Sequence, residues 1–354
     1  MEKPSKKTPK LKPWQKAAAA IGIFACAMVV VVIAALNTSK PEKVVEPNFD
    51  ITLYDDENNE TIVAPTLPSQ IAQEHEELED EIYSDPGYEH YLVLGVDEFA
   101  KGYNGRRSDT VMIVSFNREK DRIVFSGIPR DTYVYIEGKG YDKLNHSYAY
   151  GGAQLTMETI NANFDLNIEK YVTVNFDCLV EVVDAVGGVG ITLSAKESEH
   201  ISTHFYTPGT EPGYNVLNGK QALAYCRIRK IDSDSKRSER DYNVMMQVFQ
   251  KVKKMSATKW VSLMTKIYDD VYTNMTLKEC IALATEVLDI EDLTLEHTLV
   301  VQGEDGKKIN GVYYDVEKDL TGSLIAWRQY LGNDEYKPTK KVQHISEYLS
   351  DLWK

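Results

Sequence analysis

Cysteine is scarce, with four in 354 residues. Cys26 falls inside an uncharged N-terminal run, which leaves Cys178, Cys226 and Cys280 for the rest of the chain. Three thiols cannot pair completely, and no CxxC or Cys/His cluster is present, so neither a disulfide framework nor a thiolate metal site has support. Small buried hydrophobes are the better reading. Positive charge is also in short supply: 40 Lys and Arg against 54 Asp and Glu leave a formal net charge of -14. A general nucleic-acid coat needs the opposite field. A G-x-x-x-x-G-K-[ST] loop and a G-x-S-x-G elbow are missing too, so a P-loop nucleotide site and a serine hydrolase have no footing. "AVGGVG" (185–190) resembles a dinucleotide loop, but it falls between a helix and a strand, the wrong order, and reads as a turn.

Long apolar runs are limited to one. Residues 17–36 carry no charge and, as a helix, would span about 30 Å, the thickness of a bilayer core. Lys3, Lys6, Lys7, Lys10, Lys12 and Lys16 precede the run. Together they predict a cytoplasmic basic tail (1–16), a single membrane helix (17–36) and an extracellular remainder. A cleaved signal peptide is the alternative, but its apolar region is usually about 7–15 residues, and no convincing small-x-small site follows this one. Residues 37–87, with the acidic run "EHEELEDE" (74–81), read as a linker unable to bury much apolar surface.

From Tyr88 the pattern changes. "YLVLGV" (91–96), "DTVMIVSFN" (109–117) and "DRIVFSGI" (121–128) read as buried strands, the last two joined by the polar "NREK" turn. "SYAYGGAQLTMETINANF" (147–164) carries helical spacing. "YVTVNF" (171–176) reads as a strand, "CLVEVVDAV" (178–186) as a helix and "GVGITL" (188–193) as a strand. Helices are expected at 219–225, capped by Asn218, at 241–255, and at 276–288, capped by Thr276. "LEHTLVVQG" and "GVYYDV" read as late strands, and "HISEYLSDLWK" as a helical tail. Strands alternating with helices predict an α/β domain over 88–335, with a central mixed sheet and helices on both faces, followed by a C-terminal helical tail (336–354).

Arginine is the rarest cation, ten against thirty lysines, and most of it falls in a few segments next to expected strand ends. "LGV" ends in Asp97, "RRSDT" places Arg106, Arg107 and Asp109 at a strand start, and "GIPRDT" gives Arg130 and Asp131. "YDKLNHSYAYGG" brings Lys143, Asn145 and His146. Arg227 and Arg229 lie two apart in "CRIRK", where an extended chain would aim both from one face, and "SKRSERDYN" adds Arg237 and Arg240. Arginine suits bidentate contact with phosphate. Asp97 and Asp109 offer hard oxygens of the kind Mg²⁺ takes alongside substrate phosphates. The set predicts a phosphate or pyrophosphate site with a divalent cation, against the blander reading that each arginine pairs with a local aspartate. His146 is read as a packing or hydrogen-bonding group rather than a base.

The ordered motifs LGVD (94–97), RSDT (107–110), IPRDTYV (128–134), KLNHSYAYGG (143–152), VNFDCLVEVVDAVGGV (174–189), LNGKQALAYCRIRK (217–230) and RSER (237–240) closely resemble the LytR-CpsA-Psr family over about residues 88–335. The resemblance implies a membrane-tethered α/β/α phosphotransferase of Gram-positive-type envelopes. Such a protein moves an anionic glycopolymer, such as teichoic acid or capsule, from an undecaprenyl-pyrophosphate carrier to the C6 hydroxyl of peptidoglycan N-acetylmuramic acid. It further implies Mg²⁺ (or Mn²⁺) on Asp97 and Asp109. Arg107, Arg130, Arg227, Arg229 and Arg240 match the family's pyrophosphate-binding arginines, with Lys143 and Asn145 in its adjacent polar motif. Asp97 and Asp131 are alternative general bases, and Asp97, Arg130, Asp131 and Arg227 are the expected catalytic group. Where the family usually has Gln after the last arginine, this chain has Asp241. A non-catalytic lipid- or polymer-binding envelope protein and a lipid pyrophosphate hydrolase are the rival readings. A nucleic-acid partner is not expected.

Overall fold

The computed structural model describes residues 53–55, 60–62, 83–96, 107–204, 207–228, 231, 234–256, 271–276, 290–302 and 306–354, with isolated helical residues between 259 and 287. The expected membrane helix (17–36) lies outside the described residues, as does most of the linker (37–87), apart from a small antiparallel hairpin, β1 (Leu53–Asp55) and β2 (Glu60–Ile62), and residues 83–87. Among the described residues, no helix is long and apolar enough to cross a membrane.

Strand β3 (Glu89–Val96) is apolar on both faces, and it lies at the centre of a six-stranded sheet where both faces are covered. Its neighbours are β4 (Ser108–Asn117), β5 (Arg122–Ile128), β8 (Lys170–Asn175), β11 (Val271–Thr273) and β12 (Thr294–Leu299). They run in the order β11-β8-β3-β4-β5-β12. The pairs β3·β8 and β5·β12 are parallel, and the others antiparallel, so the sheet is mixed. One consequence positions the site: the end of β3, the start of β4 and the ends of β5, β8 and β12 all reach the same edge of the sheet.

Side-chain alternation divides the core into two layers. Tyr91, Val93, Met112, Val114 and Phe125 face a layer built with α2 (Phe176–Ala185), α4 (Gly219–Cys226) and α5 (Asp234–Val252). Leu92, Leu94, Val111, Ile113 and Val124 face α1 (Leu144–Phe164), α6 (Leu320–Leu331) and α7 (Lys340–Asp351). Each such buried aliphatic or aromatic side chain contributes about 1.5–3 kcal/mol relative to an exposed one. Helix α7, expected as a tail, buries Val342, Ile345 and Leu349 and is part of this second layer.

Several elements differ from the sequence expectation. The segment 189–193 forms β9, but it lies outside the central sheet and, among the described residues, pairs with β10 (Gly213–Leu217). Likewise "GVYYDV" contributes β14 (Val312–Asp315), which pairs with β13 (Gly306–Ile309) and makes one isolated bridge to Thr132, outside the central sheet. Helix α3 (Ala195–His204), helix α6 and the hairpin β6 (Tyr133–Ile136) and β7 (Gly140–Lys143) carried too little periodicity to be expected. Helix α1 is broken at Gly151 and Gly152; Gly152 sits at φ 65, ψ -158, a conformation essentially restricted to glycine. Cys178, Cys226 and Cys280 are buried, as expected, and burial pushes Cys280 up to about 12, away from thiolate chemistry.

A buried polar node ties the segment before β3 to α1 and α6. Arg328, fully buried, pairs with Asp85 at 2.9 Å and donates to the carbonyls of Phe164 and Asp165 at the end of α1. His90 bridges Asp85 (2.9 Å) and Ser115 (2.8 Å). Burial pulls the His90 pKa below its ordinary value, more strongly than Asp85 raises it. The folded state therefore holds His90 neutral, whereas the unfolded chain takes up a proton below about pH 6.5. Stability should be level above that pH and fall as the pH drops through it. Urea midpoints at pH 7.5 and 5.0 should differ less in His90→Gln than in the parent chain, and an unchanged difference would count against this account.

Candidate functional site

At the strand-end edge, five of the sequence-expected residues meet: Asp109, Arg130, Asp131, Lys143 and Asn145. The β3–β4 register slips between Gly95 and Val96, so Asp109 has no opposing residue on β3. A bulge of this kind bends the strand and re-aims the side chain. Here it delivers Asp109 Oδ1 to Arg130 Nη1 at 2.6 Å, just past the end of β5. Arg130 Nε lies 3.5 Å from Asp131, whose other oxygen accepts Lys143 Nζ at 3.1 Å. The local pairing of Arg130 with aspartate is thus real, and it forms a chain of alternating charges rather than one isolated pair.

Backbone bonds hold the chain of charges in place. Leu144 N–H donates to the Thr132 carbonyl (2.9 Å) and Asn145 N–H to the Arg130 carbonyl (3.0 Å), so the loop after β5 is stitched to the start of α1. Asp315 N–H donates to the Asp131 carbonyl from the other side. Asn145 is 2% exposed, and its side-chain Oδ1 has no hydrogen-bond partner in the protein. An orphaned buried oxygen needs explaining, and a donor brought by a ligand or an ordered water would satisfy it.

Behind Asn145 stands Asp142, a group the sequence did not single out. It accepts from His146 Nδ1 (2.8 Å), Tyr150 O–H (2.7 Å) and Lys143 N–H (2.8 Å). Burial opposes its ionisation, but these donors outweigh that and hold its carboxyl below the ordinary range. His146 is accordingly a buried hydrogen-bonding partner, in line with its sequence reading. Arg107 is half-buried, and its charge opposes the burial that pushes the Tyr150 phenol up, which places Arg107 near the same cluster.

A second cationic segment comes from the other layer. Asn218 and Gln221 form a capping box that starts α4, as expected for Asn218. At Gly219 a Cβ would collide with the Val180 backbone, so α4 packs tightly on α2. Arg227 is the C-cap residue at φ -87, ψ 2, in a turn rather than an extended strand. The alternation argument for Arg227 and Arg229 therefore does not apply at Arg227. Arg240 on α5 is buried, ion-paired to Glu197 at 3.0 Å, and donates to the Ile228 carbonyl. Asp241 is half-buried on the same helix. Asp97, Arg106 and Arg229 lie outside the described residues, as does the side chain of Arg237. A surface hollow lined by Phe249, Lys253, Leu293 and Leu295 sits by the start of β12, at the opposite end of the sheet, and shares no residue with this cluster.

Both the sequence and the fold have counterparts in known proteins. The model of the LytR_cpsA_psr family matches residues 60–325. The chain belongs to the LytR-CpsA-Psr family. Among related members, the polyisoprenyl-teichoic acid–peptidoglycan teichoic acid transferase TagT of Bacillus subtilis is 33% identical over 261 residues, covering 68% of this chain and 79% of that protein. TagU of Bacillus subtilis, a transferase of the same description, is 35% identical over 246 residues, covering 66% and 77%. The structure of TagT bound to LIIa-WTA superposes with a TM-score of 0.60 at 29% identity, covering 72% of this chain and 94% of that one. The structure of TagT with bound octaprenyl pyrophosphate lipid gives 0.55 at 27% identity, covering 72% and 94%. In this LytR-CpsA-Psr chain, the strand-end cluster falls within the matched residues.

Proposed function

We propose that the chain transfers an anionic glycopolymer, teichoic acid or a similar polymer, from an undecaprenyl-pyrophosphate carrier to the C6 hydroxyl of peptidoglycan N-acetylmuramic acid. The observation that carries this reading is the Asp109–Arg130–Asp131–Lys143 chain of charges beside the orphaned oxygen of Asn145. Such a cluster suits an anion that carries both charge and a hydrogen-bond donor. Family membership, and relatives named as teichoic acid transferases, supply the chemistry.

Phosphoryl transfer asks the protein chiefly for positioning and charge stabilisation. Arg130, Lys143 and Arg227 would hold the pyrophosphate oxygens, with Arg107 and Arg229 beside them. The acceptor hydroxyl oxygen forms a new bond to the phosphorus that bears the polymer, and the bond from that phosphorus to the bridging oxygen breaks. Undecaprenyl phosphate departs with the bonding pair, and a phosphodiester remains. The hydroxyl proton passes to Asp97 or Asp131. Mg²⁺ fits the donor chemistry in part: Asp109 supplies a hard carboxylate at the bulge, and phosphate oxygens of the ligand would complete the shell. When bound there, the ion would neutralise charge on the pyrophosphate. Among the described residues, no group of three or more His, Cys, Asp or Glu makes a protein-only cation site.

The apolar run 17–36 would anchor the chain in the cell membrane with this domain outside, on the side where peptidoglycan lies. Lipid-linked polymer and peptidoglycan incubated with the full chain in detergent should yield polymer covalently attached to peptidoglycan, and Arg227→Ala should abolish the product while keeping the parent's circular dichroism. Release of free polymer phosphate alone would indicate the hydrolase reading instead. Lipid binding with no product would indicate a binding protein.

A further inference from the structure

The resemblance groups Arg240 with the anion-binding arginines, but its surroundings assign it elsewhere. The side chain is 2% exposed and lies over the Tyr225 ring at 6.0 Å. Its Nε donates to Glu197 Oε1 at 3.0 Å, and its Nη1 donates to the Ile228 carbonyl at 3.0 Å. Ile228 is the residue between Arg227 and Arg229, and its side chain is fully buried in the core. That residue is gripped from two sides, by apolar packing on its side chain and by Arg240 on its carbonyl.

Glu197 anchors the grip. Its Oε2 accepts the N–H (2.9 Å) and the hydroxyl (2.8 Å) of Ser194, and the Ser194 hydroxyl in turn accepts the Glu197 N–H (3.3 Å). This reciprocal cap fixes the carboxylate to the β9–α3 junction. Its remaining oxygen points the Arg240 guanidinium at Ile228. A carboxylate close to a polyanion site opposes the ligand by Coulomb repulsion. Paired with Arg240, its charge is largely offset, and so is that of the arginine.

We infer that Glu197 is a positioning residue: acting through Arg240, it holds the Ile228 carbonyl and so sets the direction of the Arg227 turn. The inference rests on the reading that this turn faces a polyprenyl pyrophosphate. A charged group that merely stabilises the fold would act on all ligand contacts alike, whereas one that aims Arg227 has its effect only while Arg227 is present.

The test uses the full chain in detergent micelles with octaprenyl pyrophosphate as the probe. Glu197→Gln should weaken binding roughly tenfold, in keeping with the cost of misplacing a binding group by a fraction of an ångström. In the Arg227→Ala background, the same substitution should change affinity less than about twofold. Equal losses in both backgrounds, or no loss in the first, would overturn the positioning role. Failure of the parent chain to bind octaprenyl pyrophosphate at all would instead remove the ligand reading, and this inference with it. Glu197→Asp, which keeps the charge but shortens the reach, should fall between the parent and Glu197→Gln.

Discussion

Arg130→Ala should slow polymer transfer by about a hundredfold or more, the usual cost of removing one preorganised charge donor from the place where charge develops. The effect has two sources. The guanidinium is the link between Asp109 (2.6 Å) and Asp131 (3.5 Å), so its removal takes away the cation that lies between the two carboxylates. Those carboxylates would then repel the incoming pyrophosphate that the arginine had attracted. Arg130→Lys keeps the charge but not the planar fork, and should recover only part of the rate. The pair is partly exposed, with side-chain exposures of 22% and 12%, so the stability cost should be small next to the catalytic one. Single-turnover transfer and urea unfolding of the same preparations separate the two. Transfer by Arg130→Ala within a few-fold of the parent would remove Arg130 from the site.

The largest stability effect should come from Arg328→Ala. Arg328 is the bulkiest fully buried side chain, and it joins Asp85, the end of α1 and the rings of Tyr83, Trp327 and Tyr336. Removing one member of a buried ion pair leaves the other charge without compensation, which typically costs about 3–5 kcal/mol. Asp85 would keep His90 and Asn333 as partners, so the Asp85 carboxylate would not be left wholly bare. The urea midpoint should drop sharply in Arg328→Ala and recover substantially in Arg328→Met combined with Asp85→Asn, where no charge is stranded. A single variant as stable as the parent would show that the node is not a source of stability. Arg328 binds the far end of α1 from Lys143, so transfer per folded molecule should be unaffected.

Much of the site was legible because its residue types are unusual for their surroundings. Ten arginines against thirty lysines, with Arg107 and Arg130 next to strand ends, are the pattern from which the proposed anion site was read. Asp109, Arg130, Asp131, Lys143 and Asn145 do converge. Asp142 and the pairing of Glu197 were not legible: a carboxylate in "GYDK" has no local signature, and the S-x-x-E spacing of Ser194 and Glu197 marks a helix start but not the arginine that Glu197 holds. Their roles come from donors distant along the chain or supplied only after folding, such as Arg240 for Glu197 and Tyr150 for Asp142.

By itself the sequence determined the alternation of strands and helices, the caps at Asn218 and Thr276, and the identity of the charged set, because each follows from side-chain period, local hydrogen bonding or residue chemistry. Tertiary structure decided which strands share a sheet, which end of it they present, and how charges are paired. The β9 and β14 segments read as ordinary strands, yet neither joins the central sheet, since pairing depends on edges that only the assembled chain offers. Arg227 and Arg240 illustrate the same division. Their charge was plain in the sequence, but only the folded chain sets Arg227 in a turn at ψ 2 and buries Arg240 against Glu197.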